Sequence, residues 1–305
     1  MIGTVRAPKR SIPALRDKIS MRFFSIILFA VVSAFACAAP ASAKVVRDVI
    51  YAEAPGLDPG DVRADIYIPE DAEDAPMIIM MHGGAWTFGN KQNALGMFQS
   101  DYFTDQGFVF VAINYRLAPG HPFPAQEEDA AAAIAYFHEH AEEFGADPDK
   151  IFLMGHSAGA HMAALVAIDP DYLDAFDLTP AVIKGVVAMD SAAYNLARTG
   201  HDGDIPDFYH PTFTSDDQDV WAAASPTLQV EESTEIPPFL LLYVNRAVAP
   251  SRAKELAEAL NSAGHKAEAR LVKNRDHKSL NERLGAKGDK AAPMIADFFR
   301  DQLDD

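Results

Sequence analysis

The chain has 305 residues, 49% of them hydrophobic, with a single cysteine and a formal net charge of −18. That balance describes a globular chain with a sizeable core and excludes the disordered and fibrous classes. So acidic a surface repels nucleic acid and anionic membranes, and one cysteine excludes a disulfide framework within the chain.

Residues 1–43 read as targeting rather than fold. "MRFFSIILFAVVSAFACAAPASAK" has a basic start, an apolar core Phe23–Ala36, and Ala41-Ser42-Ala43 before Lys44. This is the layout of a secretory signal cleaved after Ala43, with Met21 as an alternative start. The competing reading is an uncleaved anchor, since 23–43 is almost long enough to span a bilayer. The expectation is a periplasmic or secreted protein with no membrane attachment after cleavage. Cys37 leaves with the leader, so residues 44–305 hold no thiol nucleophile.

Farther on, short apolar runs alternate with longer periodic ones. "RADIYIP" (63–69) alternates with period two and suits a half-exposed strand. "MIIMMH" (77–82), "FVFVAINY" (108–115), "KIFLMG" (150–155), "IKGVVAMD" (183–190), "PFLLLYV" (238–244) and "AEARLV" (267–272) are continuous apolar runs, as buried parallel strands are. Segments 125–144, 158–168, 250–263 and 289–303 between them read as amphipathic helices. The expected fold class is α/β: one domain, 44–305, with a mostly parallel sheet covered by helices on both faces. Segment 195–235 breaks the rhythm. It is polar with embedded Phe208, Tyr209, Phe213 and Trp221, and reads as a small cap or lid over the carboxyl ends of the strands, where such sheets bind ligands.

Three motifs carry chemistry. "GHSAG" (155–159) stands between a strand and a helix, so its glycines permit a crowded turn that presents the Ser157 hydroxyl at a helix amino terminus. "HGGAW" (82–86) follows another buried strand. There the amides of Gly83 and Gly84, with that of Ala158, suit an oxyanion hole. Of the ten histidines, His277 alone lies in a polar loop just after the last strand, where the base falls in the order Ser, acid, His. His138 and His140, two apart on a helix, point different ways and make a poor metal site.

Together "HGGAW", "NYRLAPGHPFPA" (114–125), "GADPDKIFLMGHSAGAHMAAL" (145–165) and "DHKSLNERLG" (276–285) resemble the α/β-hydrolase carboxylesterases. The nearest branches are the hormone-sensitive-lipase-like esterases and the bacterial feruloyl and acetyl esterases. The resemblance covers most of 60–303. It implies hydrolysis of a small-molecule carboxylic ester of small to medium acyl size through an acyl-enzyme, with no cofactor or metal. It makes Ser157 the nucleophile, His277 the base, and Gly83, Gly84 and Ala158 the oxyanion hole, with Arg116 a buttress. His82, Trp86, His156 and Tyr194, the last in "AAYNL" (192–196), are expected to line the substrate pocket. A same-fold amidase, formamidase or peptidase, and a hydrolase-fold binding protein without activity, are the alternatives.

One departure keeps that last alternative open. The loop after "PFLLLYV" should carry an aspartate, yet Asn245 and Arg246 stand there. Asp190, at the end of the preceding strand, is the expected acid, since neighbouring strands end side by side. Asn245 as an uncharged orienter, as in Cys-His-Asn sites, is the competing assignment.

Overall fold

The computed structural model describes residues 43–53, 58, 60–201, 207–214 and 218–303. The expected leader, 1–43, therefore lies outside the described residues except for Ala43. One sheet of eight strands is described, comprising β1 (Lys44–Ile50), β2 (Arg63–Ile68), β3 (Ala75–Met81), β4 (Val109–Ile113), β5 (Ala146–His156), β6 (Ile183–Met189), β7 (Phe239–Tyr243) and β8 (Ala267–Leu271). Their order is β1-β2-β4-β3-β5-β6-β7-β8. β2 runs antiparallel to both β1 and β4, and all other neighbours are parallel.

The helices are α1 (Gln99–Asp105), α2 (Ala125–Glu139), α3 (Ala158–Ile168), α4 (Asp171–Asp174), α5 (Leu196–His201), α6 (Gln218–Ala223), α7 (Ala249–Ser262), α8 (His277–Glu282) and α9 (Ala291–Asp301). The central strands are apolar throughout because both faces are covered. Met77, Ile79, Met81, Val111 and Leu153 turn towards α2, α3 and α7. Their alternates Ile78, Met80, Phe110, Phe152 and Leu240 pack with α1, α8 and α9. Each such side chain stabilises the fold by about 1.5–3 kcal/mol when fully buried. α3 lies deepest, with every residue buried, as its unbroken apolar sequence requires.

Several elements differ from expectation. β1 was not foreseen, and β5 is longer than "KIFLMG". α2 stops at Glu139, and Ala141–Phe144 is a 3₁₀ turn closed by Gly145 at φ 72°. His277 begins α8 instead of lying in a loop. The described parts of 195–235 form α5, α6 and two 3₁₀ turns, Asp207–Tyr209 and Pro226–Leu228. Among the described residues no helix is long and apolar enough to cross a membrane.

Register decides where chemistry gathers. Met81 pairs with Gly155, His156 with Met189, and Met189 with Leu242. β3, β5, β6 and β7 thus end at one level, and the residues just beyond them face one another.

Candidate active site

Ser157 links β5 to α3 with φ 56° and ψ −113°, a conformation sparsely used by residues with a Cβ. Its neighbours explain how the chain closes so tightly. A Cβ on Gly155 would lie 2.1 Å from the Gly159 carbonyl oxygen, and one on Gly159 would lie 2.1 Å from that of Met81. Only glycine fits either place. The Ser157 amide donates to the Met189 carbonyl at 2.9 Å, tying the turn to β6.

The "HGGAW" loop presses against this turn. A Cβ on Gly83 would meet His156 Nδ1 at 2.9 Å and Ser157 Cβ at 3.2 Å. Gly84 has φ 135°, and its carbonyl accepts from the Thr87 and Phe88 amides. Gly83 thus lies against the Ser157 side chain, and Ala158, which follows Ser157, opens α3.

His277 arrives from the far end of the chain. Asp276 caps α8: its carboxylate accepts from the Ser279 amide, and the Ser279 hydroxyl accepts from the Asp276 amide. Asp276 is thus committed to the helix. His277 Nδ1–H donates to Asp190 Oδ2 at 2.6 Å, and Nε2 lies 3.1 Å from Ser157 Oγ. Hydroxyl, imidazole and carboxylate stand in a chain of two hydrogen bonds.

Asp190 follows β6 at φ 55°, its side chain wholly buried. Its Oδ1 accepts from the Val244 amide at 3.0 Å, and its Oδ2 accepts from Arg246 Nε at 2.6 Å as well as from His277. Burial alone would raise its pKa. The bonds from His277, Arg246 and the Val244 amide outweigh that and hold the carboxyl below its ordinary value. Asn245 is exposed. The part expected of Asn245 or a missing acid is thus set against a carboxylate already bonded to the imidazole.

His156 lies beside His277, ring centroids 4.5 Å apart, and its Nε2–H donates to the His277 carbonyl at 2.9 Å. Burial, and next the neighbouring His277 ring, push its pKa down to about 3, so it is neutral in ordinary buffers. A cleft of about 1300 Å³ opens above, walled by Trp86, Phe88, Met97, Phe208, Arg246 and Val248 among others. Trp86 and His156 lie on its wall.

His82 and Tyr194 do not. His82 stacks on Tyr115 at 4.2 Å and donates from Nδ1 to the Gly83 carbonyl at 2.7 Å, bracing the loop from below. Burial lowers its pKa to about 4. Tyr194 points into the core, where burial raises its phenol well above the ordinary value. Of the four aromatics singled out between 195 and 235, Phe208 and Tyr209 reach the cleft. Phe213 and Trp221 are buried instead, Phe213 standing edge-on to Trp86 at 5.0 Å. Arg116 binds Asp129 on α2 through Nε and its backbone amide, away from the cleft. Arg246 is the residue that sequence alone did not credit.

An eight-stranded, mostly parallel sheet with this serine turn is the α/β-hydrolase fold. Residues 64–260 match BD-FAE, an α/β-hydrolase esterase family, and the chain belongs to it. Esterase LipQ of Mycobacterium tuberculosis is 30% identical over 235 residues, 74% of this chain and 55% of LipQ. A probable isoprenylcysteine alpha-carbonyl methylesterase of Arabidopsis thaliana is 27% identical over 255 residues, 78% of this chain and 52% of its own. The chain spans about half the length of these curated relatives. Among solved structures, a hyperthermophilic esterase from the archaeon Pyrobaculum calidifontis aligns with TM-score 0.65 and 27% identity, over 79% of this chain and 81% of that one. A truncated carbohydrate esterase from gut microbiota shares the fold at TM-score 0.66, with 22% identity over 87% and 98% of the two chains.

Proposed function

We propose that the chain is an exported serine hydrolase that cleaves carboxylic esters of small to medium acyl groups. The observation that carries this reading is the run Ser157 Oγ, His277 Nε2 at 3.1 Å, His277 Nδ1 and Asp190 Oδ2 at 2.6 Å. In the proposed reaction His277 takes the Ser157 proton as the oxygen attacks the ester carbonyl. Asp190 fixes the ring with Nδ1 protonated and stabilises the imidazolium. The Gly83, Gly84 and Ala158 amides receive the developing oxyanion, and a preorganised donor of this kind is worth about 10²–10³ in kcat. His277 then protonates the leaving alcohol, and water releases the acyl group by the same route.

Relatives named as esterases and methylesterases support ester over amide cleavage. The cleft of about 1300 Å³ has room for both acyl and alcohol parts. The described parts of 195–235 act as a cap in this reading, joined to the oxyanion loop where Trp86 meets Tyr209 and Phe213. Export rests on the leader-like layout of 1–43, and amino-terminal sequencing of the exported fraction should begin "KVVRD".

The deciding experiment compares wild type and Ser157→Ala on p-nitrophenyl acetate and butyrate and on an aminoacyl anilide, alongside labelling by a serine-directed fluorophosphonate. Labelling with ester but no anilide turnover supports the reading. Anilide turnover favours the amidase alternative, and wild type that neither labels nor turns over is the binding protein.

A further inference from the structure

We infer that Arg246 is a positioning residue of this reaction, which clamps Asp190 and shares its charge with His277. The inference rests on the serine-esterase reading above. Arg246 stands in the loop after β7, where the fold's plan led us to expect the acid itself. It bonds instead to the acid from the neighbouring strand, through Nε to Oδ2 at 2.6 Å and through Nη2 to the Asp190 carbonyl at 2.8 Å. These two bonds hold both ends of a residue whose backbone sits at φ 55°, and the Val244 amide on Oδ1 completes the grip. The carboxylate has no rotation left.

The electrostatic consequence comes from a single atom. Oδ2 accepts from Arg246 and His277 together, both at 2.6 Å, which its two lone pairs allow. A carboxylate shared with a permanent cation stabilises an imidazolium less than one left to the ring alone. Arg246 therefore takes part of the charge that Asp190 would otherwise lend to an imidazolium formed during turnover. Other charges near His277 do not undo this. Lys278 and Glu282, on its own helix, face each other at 3.5 Å, Asp276 caps that helix, and His156 from β5 is neutral. Arg246 keeps about a third of its side chain exposed and lines the cleft, so it is placed to be felt by the reacting groups.

The test measures kcat and KM for p-nitrophenyl butyrate from pH 5 to 9 in wild type, Arg246→Gln, Arg246→Lys and Ser157→Ala. In Arg246→Gln the acid limb of kcat/KM should move to higher pH, so that activity at pH 5.5 relative to pH 8 falls about threefold or more below wild type. KM should stay within about twofold, since uniform binding is untouched. Arg246→Lys should keep the wild-type acid limb but reach a lower plateau, because an ammonium supplies charge without the two-pronged fork. An acid limb unmoved in Arg246→Gln, or an effect confined to KM, overturns the inference. Should Arg246→Gln fail to fold by circular dichroism, Arg246→Lys with wild-type kcat overturns it, and a lowered plateau supports it. Turnover by Ser157→Ala, or none by wild type, overturns the esterase reading itself and is told apart by that control.

Discussion

Replacing Asp190 by asparagine isolates the charge of the proposed acid. Three donors converge on the carboxylate: the Val244 amide on Oδ1, and Arg246 Nε with His277 Nδ1 on Oδ2. An amide has one acceptor oxygen, so one side must be lost. Turning its oxygen to the two-donor side sets its NH₂ against the buried Val244 amide, at a cost of about 1–3 kcal/mol in stability. The opposite flip sets NH₂ against both a guanidinium and Nδ1–H, which is worse, so the first holds and the ring keeps its tautomer. What disappears is the negative charge. An imidazolium about 4 Å from a carboxylate gains about 4 kcal/mol at an effective dielectric of 20. About a third of the His277 side chain stays exposed, and Arg246 already takes part of the charge; both reduce the figure. The expected loss is roughly 10²–10³ in kcat at pH 7, with KM little changed. Steady-state kinetics on p-nitrophenyl butyrate, after circular dichroism has checked the fold, measures it. If Asp190→Asn stays within about threefold of wild type while Asn245→Ala collapses, the amide is the working partner and the assignment is wrong.

Three other perturbations bear on the framework. Gly159→Ala drives a Cβ to 2.1 Å from the Met81 carbonyl oxygen and 2.7 Å from that of His82; a loss of about 3 kcal/mol or failure to fold is expected, and a wild-type melting temperature would contradict the close approach. Trp86→Ala empties a site enclosed by His161, Tyr209 and Phe213, so denaturant unfolding should show about 3–5 kcal/mol lost, with turnover falling as the Gly83–Gly84 loop loses its packing on Tyr209 and Phe213. For pH, burial pushes Asp65 and Asp190 up, but bonds from Lys91 in the one and His277 in the other prevail, so both lie below their ordinary values. Their stabilisation is present above the ordinary carboxylate range near pH 4 and is lost as pH falls through the lowered values, while Asp129, raised by burial, works the other way. Melting temperature should therefore drop steeply below about pH 4, and Asp65→Asn should flatten that drop while losing about 3 kcal/mol at pH 7.

Much of the sheet was legible because apolar runs covered on both faces leave no polar period to confuse them. α3 was read to the residue, as its all-apolar sequence follows directly on the serine turn. β1 escaped because "KVVRDVI" is an exposed edge strand, and its register shift at Val46–Val49 breaks alternation. α8 has only six residues, too short for a period to emerge, so His277 read as loop. The two misplaced pocket residues share a cause. Proximity to a motif says which turn a side chain leaves, not which way it points, and His82 and Tyr194 both point inward. Arg246 was hidden for another reason, since its partner stands 56 positions away and only strand register brings them together.

The level ends of β6 and β7 also make the two loops beyond them interchangeable mounts. Neighbouring strands lie about 4.8 Å apart, so a carboxylate issuing from either end meets the same imidazole after a small change of side-chain direction. A lineage can then carry an acid on both mounts for a time and discard one without ever passing through an inactive ancestor. In this chain the mount after β7 holds a cation, Arg246, bonded to the carboxylate next door.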